Sequence, residues 1–149
     1  MAVTETSRHK LPLLAVSQAQ KEITHNEALV RIDALLHPLV EAELSAPPAL
    51  TEADIGKSWL VGASPSSEWA GKSGQLAVWV GGDWRFCGAV DGMRIRLLTS
   101  GVDRVYVDGT WRLAPTIPNP ANGAVIDVEA RAALILLLEH LREVGQVTS

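Results

Sequence analysis

The hydrophobic period of the chain changes twice. From about Ser17 to Leu36 the apolar residues recur at helical spacing: Ala28, Ile32, Leu35 and Leu39 follow at intervals of four, three and four, and Leu29 and Leu36 widen the stripe. Ser17 with Gln20 has the form of a capping box, and His37-Pro38 supplies a stop. The first half of this segment is more polar, with Gln18, Gln20, Lys21, Thr24, His25, Asn26 and Glu27 leaving Ala19 and Ile23 as apolar anchors. From Lys57 the period shortens to that of strands, predicted at Ser58–Val61, Leu76–Val80, Asp83–Cys87, Arg94–Leu98, Arg104–Val107 and Thr110–Leu113, with Gly, Asp, Ser and Pro clusters between them. Helical spacing returns after Asp127, a predicted N-cap, where Ala130, Leu134, Leu137, Leu141 and Val144 alternate at four and three until Gly145 stops the helix.

The strand region contains a repeat. Val78-Trp79-Val80-Gly81-Gly82-Asp83-Trp84-Arg85-Phe86 returns as Val105-Tyr106-Val107-Asp108-Gly109-Thr110-Trp111-Arg112-Leu113. Gly81-Gly82 and Asp108-Gly109 tolerate the positive φ that a two-residue hairpin turn demands. With these dipeptides at the turns, Val80 faces Asp83, Trp79 faces Trp84 and Tyr106 faces Trp111. The aromatic pairs then fall at non-hydrogen-bonded sites, where side chains come closest, and each contributes roughly 0.2–1 kcal/mol relative to alanine.

The resulting fold class is α+β, with an N-terminal helix, a small antiparallel β domain of hairpins and a C-terminal helix. Residues 1–10 read as a flexible arm and 11–44 as the N-terminal helical segment. Residues 45–56, with Pro47-Pro48, form a linker; 57–113 form the β domain; 114–124, with Pro115, Pro118 and Pro120, form a second linker; and 125–149 form an oligomerisation helix. Ile135, Leu136 and Leu138 add apolar surface beyond the seam of the last helix, more than one chain would cover. The two helices are therefore expected to bundle in a homotrimer, or a dimer, with Ala28, Ile32, Leu35, Leu134, Leu137 and Leu141 at the interface.

A net charge of −4 in 149 residues argues against a general electrostatic footprint on nucleic acid. Cys87 has no second cysteine to pair with, and no paired histidine spacing completes a zinc site, since His9, His25, His37 and His140 share no ligand interval. No cofactor is expected. The longest apolar run, Ala132 to Leu138, is too short to span a bilayer, and no signal-peptide pattern follows the polar start, so synthesis in the cytoplasm is expected.

Candidate chemistry is sparse. Trp59, Trp69 and Trp79 recur at ten-residue intervals, and with Trp84 and Trp111 they read first as the core of a small β domain. Trp69, in a loop, is the indole most suited to stack on a sugar, with Arg94 and Arg96 on a nearby strand as contacts for an anionic glycan. Glu52 with Asp54, or Glu68 with Asp83, could serve as paired carboxylates for glycoside hydrolysis only if folding set them across a cleft. His25 and Asp33 stand two helical turns apart, roughly 12 Å, which is too far for a base and its orienter. No enzyme activity is expected.

The string Gln18-Ala19-Gln20-Lys21, with Thr24-His25-Asn26-Glu27-Ala28 after it, resembles the opening of an uncharacterised domain family of prophages, tailed phages and gene transfer agents of alphaproteobacteria. Pro47-Pro48, Trp59-Leu60-Val61-Gly62, Trp69-Ala70-Gly71, Gly82-Asp83-Trp84-Arg85-Phe86 and Asp108-Gly109-Thr110-Trp111 are similar to later parts of its pattern. Lys21-Glu22 stands where relatives often carry Lys-His. The resemblance implies a virion component, a tail-fibre or tail-associated protein that contacts other virion proteins. The rivals are a carbohydrate-binding module for host surface glycan and a glycan hydrolase.

Overall fold

The computed structural model describes residues 5–14, 21–123 and 127–148. The chain is α+β, and in order its elements are α1 (Lys21–Leu36), β1 (Leu39–Val40), β2 (Glu43–Leu44), β3 (Ser58–Val61), β4 (Leu76–Trp79), β5 (Trp84–Cys87), β6 (Arg94–Leu97), β7 (Val102–Val107), β8 (Thr110–Leu113) and α2 (Val128–Glu143). All six predicted strands form, with ends shifted by at most two residues. They do not form one domain. The chain divides into two compact units, Met1–Ala89 and Val90–Ser149, and the boundary falls within the 57–113 segment. No helix of the described residues is long and apolar enough to cross a membrane.

In the first unit β2, β3, β4 and β5 make a four-stranded sheet in that order, with β2 parallel to β3 and the other pairs antiparallel. Trp79 lies opposite Trp84, and the Val80 N–H donates to the Asp83 carbonyl at 3.1 Å, the register the turn dipeptide demands. Gly81 and Gly82 both take positive φ, +83° and +108°. On one face of the sheet, Trp59, Val61, Trp69, Ala77 and Trp84 form a buried cluster flanked by Leu44, Leu50 and Phe86. Trp84 is its hub, with ring centroids 5.0 Å from Trp69, 5.1 Å from Trp79 and 5.6 Å from Trp59. Indoles of this size let a short sheet bury enough apolar area without a large aliphatic core.

Helix α1 ends at Leu36, as His37-Pro38 requires, because the proline ring disfavours helical geometry at His37 and offers no N–H. Leu39, placed by period on the helical stripe, stands instead in β1. The predicted Ser17–Gln20 capping box lies outside the described residues, as do residues 1–4 of the arm.

Residues 5–10 of the arm are docked, which corrects the expectation of a flexible segment. Asp33 of α1, nearly fully buried, accepts from the Thr6 hydroxyl at 2.7 Å, the Arg8 N–H at 2.9 Å and the His9 N–H at 2.6 Å. Arg8 donates to the carbonyls of Ala34, His37, Leu39 and Gly56 and to the Ser58 hydroxyl. Its guanidinium therefore covers carbonyls at the negative end of α1 that have no intrahelical donor. Eight directed hydrogen bonds explain the order of a stretch whose composition alone reads as mobile.

In the second unit β6, β7 and β8 form an antiparallel meander in which Tyr106 faces Trp111 at 5.1 Å between ring centroids. Asp127 caps α2, its side chain accepting from the Ala130 N–H at 2.8 Å. At the other end Gly145 (φ +76°) donates to the Arg142 carbonyl at 3.0 Å and Gln146 to that of Leu141 at 2.8 Å. This paired closure of a helix requires a left-handed residue at that position.

The proline segment is not a free spacer. Arg142 donates to Asn119 Oδ1 at 2.9 Å and to the Ile117 carbonyl at 2.6 Å, and Arg131 donates to the Asn122 carbonyl at 2.8 Å. The Thr148 N–H reaches the Pro115 carbonyl at 2.9 Å. Prolines break the ladder that would otherwise satisfy these carbonyls, and arginines from α2 supply the donors.

Candidate functional site

Helices α1 and α2 each keep one face uncovered. On α1 the residues turned toward the first unit are Glu22, Asp33 and Ala34, with Asn26 and Val30 partly covered. Ala28, Ile32, Leu35 and Leu36 project from the opposite side, and Ile32 and Leu35 are 46% and 39% exposed. On α2 Leu138 is buried, and Arg131, Ile135 and Arg142 are partly covered along the same side. Leu134 and Leu137 remain 50% and 53% exposed, and Leu141, at the margin, is half-buried. Each unit thus leaves a stripe of aliphatic side chains in solvent. Scattered exposed leucines are ordinary, but a stripe in helical register is the form an interhelical contact takes.

The residues expected to meet a glycan are placed differently. Trp69 is wholly buried (0% exposed) at the end of a short 3₁₀ turn, Ser67–Trp69, so it offers no indole face to a sugar. The turn folds its ring inward because Trp84 provides an edge-to-face partner at 5.0 Å. Arg96 is also committed. It donates to Asp103 Oδ1 at 3.2 Å and to the Val144 carbonyl at 2.9 Å, holding the C-terminal end of α2. Arg94 remains exposed.

The carboxylates have structural tasks. Glu68 Oε2 accepts the Trp84 indole N–H at 3.1 Å. Asp83 pairs with Arg85, which also reaches Glu27 Oε1 at 3.4 Å and so links the β4–β5 hairpin to α1. Asp54 is held at about 2 by the Lys57 ammonium and by the Thr51 N–H and hydroxyl. Burial pushes the Cys87 thiol up, away from reactivity.

A cavity of about 180 Å³ opens in the first unit between the docked arm, α1 and the β4–β5 turn, lined by Leu13, Val30, Ile55, Val78 and Trp79, with Asp33 at its edge. A shallower depression shares Val30 and Val80 with it and ends at Glu27 and Arg85. Both Asp33 oxygens are already taken by the arm, and Glu5, Thr6 and Ser7 add polar groups to a lining that is otherwise mostly apolar.

One pairing was invisible in the sequence. His9 of the arm and His37, just past α1, meet with Nε2 and Nδ1 3.4 Å apart, although 28 residues separate them. No ligand interval signals this contact, because it arises from the docking of the arm.

No curated protein matches the chain. The family described as "Protein of unknown function (DUF2793)" matches residues 25–112, from within α1 to β8, and leaves α2 outside. That match covers more than half of the sequence, and the chain therefore belongs to this family.

Proposed function

We propose that this chain is a structural component of a phage or gene-transfer-agent particle, a tail-fibre or tail-associated protein that works as a homotrimer and performs no catalysis. The observation that carries the reading is the exposure of the Ile32–Leu35 and Leu134–Leu137 stripes, each on a helix whose other side is already packed. Association of three copies would remove these stripes from water, at roughly 25 cal/mol per Å² of apolar area. A closed threefold assembly also gives a slender particle element from a single polypeptide. The commitment of Glu68, Asp83 and Asp54 to structural partners supports a scaffold over a hydrolase. The glycan-binding reading has lost Trp69 to the core and Arg96 to the end of α2, and Arg94 alone is a weak basis for it.

Sedimentation velocity at micromolar concentration tests the assembly, and proteomics of purified particles tests the location. A trimer that dissociates on Leu134→Glu with Leu137→Glu, found in particles, is the expected result. A stable monomer, or absence from the particles, overturns the reading.

A further inference from the structure

His9 and His37 form a pair that the scaffold reading does not use. Both rings are exposed, and both are anchored through their backbones. The His9 N–H is held by Asp33 Oδ1 at 2.6 Å, and the His37 carbonyl accepts from Arg8 at 3.2 Å. The ring planes are tilted by 42° with centroids 5.1 Å apart, so the rings are not stacked and their facing nitrogens are Nε2 and Nδ1. Their 3.4 Å separation is at the long limit of a hydrogen bond between neutral imidazoles. It matches another geometry better. Two imidazole nitrogens bound at about 2.0–2.1 Å to one tetrahedral ion stand about 3.3–3.4 Å from each other.

We propose that His9 and His37 chelate one divalent transition-metal ion of the class that imidazole favours, zinc, nickel or copper, and that the ion fastens the docked arm to the end of α1. In the bound form each ring carries its proton on the far nitrogen, Nδ1 of His9 and Nε2 of His37, and turns a lone pair toward the ion. Among the described residues no group of three or more His, Cys, Asp or Glu side chains is gathered for a metal, so water completes the coordination. The site is accordingly weak and exchangeable, in contrast to a closed structural zinc site. Its affinity should follow the general order for nitrogen ligands, with copper ahead of nickel and zinc. The Arg8 charge nearby opposes a cation, while the Asp33 carboxylate on the His9 backbone favours one.

The test uses the full chain, titrated calorimetrically with zinc chloride and nickel chloride at pH 7.5. One ion per chain is expected, lost in His9→Ala and in His37→Ala, and retained when His25 and His140 are both replaced by alanine. With one equivalent of copper(II), electron paramagnetic resonance should show hyperfine splitting from two imidazole nitrogens, a pattern absent from either single variant. Circular dichroism of each variant verifies the fold. Saturable binding that survives the His9→Ala/His37→Ala double substitution overturns the proposal, as does one ion shared by two chains or no saturable binding. None of these outcomes depends on whether the chain assembles into a trimer.

Discussion

The indole N–H of Trp84 donates to Glu68 Oε2 at 3.1 Å, which ties the hub of the aromatic core to the same short turn that carries Trp69. Glu68→Ala leaves that donor without its acceptor and should cost about 1–3 kcal/mol. Glu68→Gln keeps a carbonyl oxygen in place and should cost less. Urea unfolding checks this, with the midpoint shifted and the slope unchanged.

Trp69→Ala removes a fully buried indole from the cluster around Trp84. A loss of about 3–5 kcal/mol is expected, the range for large aromatic deletions in cores. Trp69→Phe should fall between the two. Calorimetric melting of the three proteins orders them, and a Trp69→Ala protein as stable as the parent would contradict the burial described above.

The Asp33 carboxyl is pushed up by burial, but the N–H groups of Arg8 and His9, the Thr6 hydroxyl and the His9 charge outweigh this and hold it below the usual carboxylate value. A group depressed in the folded state contributes stability above its unfolded value, about 3.9, and loses it as pH falls through the folded value. Stability of the parent should thus decline in acid below about pH 4. Asp33→Asn should be less stable at neutral pH and should lose that part of the acid dependence. Amide exchange at residues 8 and 9 should accelerate in the same variant, since their acceptor is altered.

Gly145 is closed in on its docked side. A Cβ there would stand 2.7 Å from Arg96 Nη1 and 2.8 Å from the Gly101 carbonyl, at a φ of +76°. Gly145→Ala should lower the stability of residues 90–149 by about 1–3 kcal/mol, through strain and displacement of Arg96. Arg96→Ala should lower it too, by exposing the Val144 carbonyl to loss of its donor. Thermal denaturation of both variants checks the pair.

Local chemistry was legible wherever a residue decides its own neighbourhood. The Gly81-Gly82 and Asp108-Gly109 turns set the hairpin registers, Asp127 and Gly145 bounded α2, and His37-Pro38 ended α1. What escaped was decided by distant partners. Trp69 looks exposed by its loop context, and only the position of Trp84 shows that it is core. The arm looks mobile until Asp33 and Arg8 are seen to satisfy each other's surroundings across more than twenty residues. Arg96 reads as a surface cation because nothing in its strand announces the helix end it holds. The division near Ala89 had no signal either, since strands of both units share one pattern and similar turns.

The distribution of indoles makes the two halves of this chain optically separable. Trp59, Trp69, Trp79 and Trp84 lie in the first unit, linked through Trp84 at centroid distances of 5.0–5.6 Å, while Trp111 lies in the second beside Tyr106. Excitation migrates readily among chromophores that close. With Trp111→Phe, the remaining indole emission, excited selectively over Tyr106, would report on residues 1–89 alone, and comparison with the parent would isolate the Trp111 signal of the other half. Whether the halves lose their order together or in succession can then be followed by steady-state fluorescence in one denaturant series, without attaching a dye.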